Sequence, residues 1–257
     1  MSNKQHGPAP TKWALDGREQ DLIHYIYGRP DIKDIKGQPS KVLSAIDDYH
    51  RKFNMLMNIG SAKGQHIVNV INERKPSTMI ELGVYVGYSA ILFGNAVRSQ
   101  GGKQYFGIEK NPEMAAVANQ LVELAGLRDI VRILVGSSDE VLKELVQDKV
   151  INQIELIFLD HWQERYLPDM WLLEELNLLK PNVSVVIADN IIMPGAPEYR
   201  RWVEATTAQK RQIVTSDGSG ALSPNPDLGY ETILTKFDTD FGPDAVTITR
   251  VVGEDKA

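Results

Sequence analysis

The sequence predicts an α/β protein built on a doubly wound, mostly parallel sheet, with helices ahead of it and an antiparallel hairpin at its end. Two observations carry this expectation. Between residues 79 and 189, short apolar runs that end in acidic residues alternate with helix-length segments, the order that parallel strands with crossover helices require. After residue 202 the runs 212–215, 230–236 and 245–252 read as strands joined by connections too short for crossover helices, so the sheet should finish antiparallel.

Each element has its own justification. Residues 1–17 read as a flexible N-terminal segment, polar and carrying Pro8 and Pro10, and residues 18–257 as one domain. Residues 18–27 place Leu22, Ile23, Ile26 and Tyr27 on one helical side before Gly28-Arg29-Pro30 stops them. Ser40 is the expected cap of a helix over 40–54, whose Val42, Leu43, Ile46 and Tyr49 recur at helical spacing, and a third helix covers 61–74 ahead of Pro76. Strand one ends at Glu81-Leu82-Gly83, and a helix follows over 88–98. Strands over 104–109, 130–135, 154–160 and 183–189 then alternate with helices over 112–125, 139–146 and 167–179. Pro112 suits a first helical turn and Gly126 a helix end.

Composition narrows the function classes. The 257 residues hold 28 basic and 34 acidic side chains, a net charge of −6, which gives no basic field for a nucleic-acid backbone. Cysteine is absent, so disulfides, thiolate metal sites and cysteine nucleophiles are excluded. Neither a signal peptide nor an apolar run of membrane-spanning length is present, and the expectation is a cytoplasmic protein without membrane or nucleic-acid partners.

Chemistry concentrates where strand one breaks into a turn, Glu81-Leu82-Gly83-Val84-Tyr85-Val86-Gly87-Tyr88-Ser89. No Lys-Ser/Thr pair ends this turn, which argues against a triphosphate loop. Tyr85 occupies the place of the middle glycine that would make room for a pyrophosphate. The strands of an open parallel sheet present their carboxyl ends to ligands, and here those ends carry Glu81, Glu109, Asp160, Asp189 and Asn190. Any one of these can be a helix cap. Together they offer a carboxylate for ribose hydroxyls at Glu109, and an all-oxygen set at Asp160, Asp189 and Asn190 that suits Mg²⁺.

The E-x-G-x-x-x-G turn resembles the first motif of S-adenosylmethionine (SAM)-dependent methyltransferases. Leu159-Asp160-His161-Trp162 with Arg165-Tyr166-Leu167-Pro168-Asp169, Ala188-Asp189-Asn190 with Pro194-Gly195-Ala196-Pro197, Met57-Asn58-Ile59-Gly60 and Ala62-Lys63-Gly64 resemble the catechol O-methyltransferase family over residues 18–202. That resemblance implies a seven-stranded, Rossmann-like fold, SAM and Mg²⁺ as cofactors, a small aromatic diol as acceptor and a monomeric enzyme. It implies cofactor contacts at Met57, Ile59, Glu81, Gly83, Tyr85, Tyr88, Ser89, Glu109, Ser137, Ser138, Asp160, His161 and Trp162. It places the metal on Asp160, Asp189 and Asn190, and the acceptor against Met55, Met57, Asp160, Trp162, Gln163, Asn190 and Pro194, with Trp162 and Pro194 enclosing its ring.

Three positions depart from the family pattern. Gln163 stands where the family has its lysine base, and a carboxamide cannot take a proton from the acceptor. The family's late acidic residue that grips the second hydroxyl has no secure match, the nearest alignment putting Gly229 there beside Tyr230, with Glu231 close by, and Met55 replaces an aromatic gate. Gln163 therefore leaves three readings open: metal-assisted methylation of an acidic catechol, with water, Glu164 or Lys63 receiving the proton; methylation of a different phenol or metabolite hydroxyl; or a SAM-binding protein without catalysis. The Gly-, Ser- and Pro-rich loop 218–229 is expected to help set acceptor choice.

Overall fold

The computed structural model describes residues 14–239 and 242–254; the expected flexible segment lies mostly outside them. Four helices come first: α1 (Arg18–Tyr27), the single turn α2 (Ile32–Ile35), α3 (Pro39–Lys52) and α4 (Ser61–Arg74). Helix α3 starts one residue before Ser40, at Pro39, with Gln38 in the cap position and no side-chain cap; proline's fixed φ suits that first turn. The alternating part runs β1 (Thr78–Leu82), α5 (Tyr88–Ser99), β2 (Gln104–Glu109), α6 (Pro112–Leu124), β3 (Val131–Val135), α7 (Ser138–Gln147), β4 (Leu156–Leu159), α8 (Tyr166–Glu175) and β5 (Val185–Ala188). Then follow α9 (Pro197–Val203), α10 (Thr207–Asp217), β6 (Leu228–Thr239) and β7 (Gly242–Glu254).

The seven strands form one sheet in the order β3-β2-β1-β4-β5-β7-β6. Strands β1 to β5 pair in parallel, while β7 enters antiparallel between β5 and β6. One face is covered by α1 to α6, with Leu22, Ile46, Ile67, Phe93 and Leu121 fully buried against it. Helices α7 to α10 cover the other, where Leu142, Tyr166 and Trp202 are equally buried. Residues 212–215 are the one strand expectation overturned, for they lie inside α10. A capping box decides it: the Thr206 hydroxyl accepts from the Gln209 amide at 3.3 Å, and Gln209 Oε1 accepts the Thr206 N–H at 2.9 Å.

Register is what builds the site. Leu82 is paired with Ile108 and with Leu159, and Leu159 with Ala188. The next residues, Gly83, Glu109, Asp160 and Asp189, are therefore drawn into one row at the strand tips. The ladder continues into that row, with the Asp160 N–H on Leu82 O at 2.9 Å and the Asp189 N–H on Leu159 O at 3.0 Å.

Candidate active site at the strand tips

The turn after β1 is held by Glu109. Its Oε2 accepts the N–H groups of Val84 (3.1 Å) and Tyr85 (2.9 Å), and its Oε1 accepts that of Asn111 (2.8 Å). A carboxylate offers about four lone-pair directions, so roughly one remains for a ligand hydroxyl. Tyr85 sits at φ +51° and donates its hydroxyl to the buried Glu19 of α1 at 2.9 Å. Gly83, at φ +91°, has no room for a side chain, because a Cβ there would lie 2.4 Å from the carbonyl oxygen of Asp160. Its bareness serves the approach of β1 and β4. Gly87, at φ +90°, packs likewise against Ala118, 3.1 Å from where a Cβ would stand.

Among the described residues several buried polar atoms at or beside these tips have no partner, Tyr166 Oη and Thr247 Oγ1 among them. Another is Glu81 Oε1. The other oxygen of Glu81 accepts from the Tyr105 hydroxyl at 2.8 Å, and burial, with Glu109 adding to it, pushes this carboxyl up to about 7. A further orphan is His161 Nδ1. His161 stacks on Tyr166, and its Nε2 is fixed 2.6 Å from Asp169 Oδ2, whose Oδ1 accepts from Ser138 Oγ at 2.8 Å. Ser137 Oγ is taken by Glu140 at 2.6 Å, so neither serine offers an uncommitted hydroxyl proton. A buried polar atom without a partner calls for a ligand or water that supplies one. Tyr88 donates to Asp47 at 3.3 Å, Ser89 and Ile59 are buried, Met57 is exposed, and Met55 is tied through its carbonyl to Arg18 Nη1 at 2.6 Å.

Beside the turn, charge is out of balance. Lys63 of α4 places Nζ 2.6 Å from Asp189 Oδ1 and 2.6 Å from Asp244 Oδ2, all three nearly inaccessible to solvent. Asp160 faces the same cluster, and its carboxyl is driven well above the usual range by burial first, then by Asp189 and Glu81. Three carboxyl groups thus crowd round one ammonium, which is ion-paired with two of them. The two aspartates outweigh the effect of burial on Lys63 and raise its pKa, so Lys63 is held protonated and cannot receive the acceptor's proton. Asn190, at φ +57°, directs Nδ2 at Asp244 Oδ2 (3.2 Å); because a carboxylate only accepts, this fixes which way the amide faces and leaves Oδ1 for the site.

A divalent ion fits this donor set in charge and in chemistry: oxygen ligands, two of them carboxylates, in a cluster short of positive charge. Among the described residues no group of three or more His, Cys, Asp or Glu gathers as a metal cage, so the set depends on the amide of Asn190.

The rim beside the tips is open: Trp162, next to His161, is 75% exposed, and Ile192 and Met193, whose N–H groups reach Asp244, are also exposed. Met57 is exposed as well, and Phe53 packs on Tyr25 and Tyr49. Gln163 opens the short turn Gln163–Arg165 against the buried ring of Tyr166, and Pro194 lies in the irregular turn Ile191–Gly195. Glu164 points to solvent.

Gly229, the nearest match to the family's late acidic residue, does not lie at the strand tips. Glu231 is in register with Arg250, which pairs with the first residue of β5, so Gly229 to Glu231 stand at the edge opposite the strand tips. The acidic side chains that β6 and β7 bring to the tip end are Asp238, paired with Pro243, and Asp244. Asp244 was invisible in sequence because no motif surrounds it; only the hairpin register carries it to the site. Loop 218–229 is also away from the tips, pinned to the far end of α8 where Glu175 accepts from Ser223 N–H at 2.6 Å and Glu174 from Asn225 N–H at 3.0 Å. A surface groove lined by His66, Asn69, Ile233 and Arg250 holds none of the tip carboxylates.

Sheet order, the acidic row and the glycine turn together define a methyltransferase of the Rossmann-like class. Solved structures with this fold include an O-methyltransferase from Bacillus cereus in complex with SAH (TM-score 0.64, 17% identity, covering 90% of this chain and 99% of that one). Another is TomG from Streptomyces achromogenes, in complex with SAM (TM-score 0.62, 19% identity, covering 91% and 99%). The O-methyltransferase family model matches residues 40–217, and the chain belongs to that family. It is 39% identical over 190 residues to catechol O-methyltransferase of Bos taurus, covering 74% of this chain and 67% of that protein. With the Mus musculus enzyme it shares 41% over 193 residues (74% and 69%), and with the transmembrane O-methyltransferase of Homo sapiens 33% over 172 residues (66% and 58%). Among the described residues no helix is long and apolar enough to cross a membrane.

Proposed function

We propose that the protein is a SAM-dependent, Mg²⁺-dependent O-methyltransferase acting on one hydroxyl of a catechol-like small molecule. The observation that carries this reading is the cluster of Asp160, Asp189 and Asn190 at adjacent strand tips, with more carboxylates than Lys63 can neutralise, directly across Gly83 from the turn. SAM would supply an electrophilic methyl group on sulfur. Mg²⁺ on Asp160, Asp189 and Asn190 would supply Lewis acidity and lower the pKa of a hydroxyl beside it.

The chain's own groups do the rest. Glu81 Oε1 and His161 Nδ1 are two unfilled polar atoms that would meet the donor, and Glu109 retains a lone-pair direction for its ribose. Met57, Trp162, Ile192 and Met193 give a flat ring an apolar seat next to the carboxylates, with Pro194 beside them. Positioning of two reactants is worth several kcal/mol on its own, so the tip row contributes by holding the hydroxyl in line with the methyl. With Gln163 at the position of the family's base and Lys63 already protonated, the acceptor's proton goes to solvent, which the open rim admits.

Gln163 favours a second reading, in which the acceptor is a different phenol or metabolite hydroxyl. Incubating the protein with SAM and a panel of diphenols and monophenols, with Mg²⁺ or with a chelator, separates them. Methylated diphenol that disappears on chelation supports the first reading; metal-independent turnover of monophenols replaces it with the second.

A further inference from the structure

Asp244 is the hub beneath the proposed cation site. It is 3% exposed, and its two oxygens accept four hydrogen bonds. Oδ2 takes Lys63 Nζ at 2.6 Å and Asn190 Nδ2 at 3.2 Å; Oδ1 takes the backbone N–H groups of Ile192 and Met193, each at 3.0 Å. All its lone-pair directions are thereby used. The same Lys63 donates to Asp189 Oδ1 at 2.6 Å. One carboxylate from β7 and one ammonium from α4 therefore fix two of the three residues assigned to the ion, together with the turn Ile191–Gly195 that carries Pro194.

We infer that Asp244 and Lys63 are positioning residues for divalent-cation binding: Asp244 turns the Asn190 carbonyl oxygen toward the site, and Lys63 holds Asp189 in place. This rests on the Mg²⁺ reading above. The argument is one of donor count. An asparagine at 244 has a single acceptor atom; if that atom stays on the two backbone N–H groups, its NH₂ faces the NH₂ of Asn190. Two donors cannot pair, so the Asn190 amide rotates and presents NH₂ to the cation instead of oxygen. Partners that orient ligands in this way typically govern metal affinity by 10- to 100-fold.

Charge and position are separated by a double substitution. Lys63→Met together with Asp244→Asn removes one positive and one negative formal charge, so the net formal charge of the cluster is unchanged. Mn²⁺ binding is read by electron paramagnetic resonance on full-length protein without acceptor, and SAM binding by calorimetry in metal-free buffer. Asp244→Asn and the double variant should bind Mn²⁺ 10- to 100-fold more weakly than wild type, with SAM affinity within twofold, and Lys63→Arg should restore most of the loss seen in Lys63→Met. In turnover, the defect should appear as a raised Mg²⁺ requirement, with kcat recovered at saturating Mg²⁺. Unchanged Mn²⁺ affinity in the charge-matched double variant overturns the inference and leaves the metal reading standing. Absence of Mn²⁺ binding to wild type overturns both. Should Asp244→Asn fail to fold, the Lys63→Met and Lys63→Arg pair decides alone, and equal Mn²⁺ affinity in the two overturns the proposal.

Discussion

Glu81 has both a distinctive environment and a titration that can be followed. Its carboxyl lies at 0% exposure, one oxygen without a partner, and burial raises its pKa from 4.5 to about 7. A carboxyl that holds its proton more tightly when folded contributes stability at and below pH 4.5, and that contribution is lost as pH rises through about 7. Ligand-free wild type should therefore lose on the order of 2–3 kcal/mol between pH 4.5 and 7 relative to Glu81→Gln, measured by urea unfolding across that range. A pH-independent difference would assign Glu81 an ordinary titration. Gly83 is the second decisive position. Gly83→Ala puts a methyl group into the Asp160 carbonyl at a φ that alanine disfavours, and should cost on the order of 3 kcal/mol in the same assay. The roles of Glu81, Asp160, Asp189 and Asn190 as strand-end residues were legible because each follows an apolar run; Asp244 was not, since a single aspartate ahead of a β-branched run looks like any hairpin residue.

At the level of elements, α10 shows where local pattern misleads. Ile213-Val214-Thr215 reads as a strand by its β-branched residues, while the cap signal Thr206-x-x-Gln209 was available and settles the matter. Thr206→Ala should destabilise the protein by about 1 kcal/mol, with amide exchange accelerated first in residues 207–210. At the end of α8, Glu174 gathers its neighbours. Its Oε1 accepts from Trp202 Nε1 at 2.8 Å and from the Tyr230 hydroxyl, while Oε2 holds the Asn225 N–H; Lys210 lies 3.4 Å over the Tyr230 ring. Glu174→Ala leaves those donors unpaired and the buried Lys210 without its counter-charge. It should cost on the order of 3 kcal/mol yet leave acceptor KM unchanged, because this joint is at the edge opposite the strand tips. A shifted acceptor KM would return loop 218–229 to the role the sequence assigned it.

For the molecule as a whole, strand–helix alternation made the sheet readable before any coordinate, because crossover helices leave few ways to wind a parallel sheet. What alternation does not encode is how β7 slots between β5 and β6, and that insertion brings Asp244 to the tips. Binding to the folded chain alone should stabilise it: SAM at a hundred times its Kd raises unfolding free energy by about 2.7 kcal/mol, and on the proposed reading a chelator should leave most of that increment intact, since Glu81, Glu109 and His161 are not among the residues assigned to the cation. The bare α-carbon of Gly83 has one more implication. The tips of β1 and β4 meet there with no room for even a methyl group, so a change at either strand end is felt by the other. On the proposed reading, a change of acceptor is then accommodated at the exposed side chains Met57, Trp162, Ile192 and Met193 and not at the strand tips themselves.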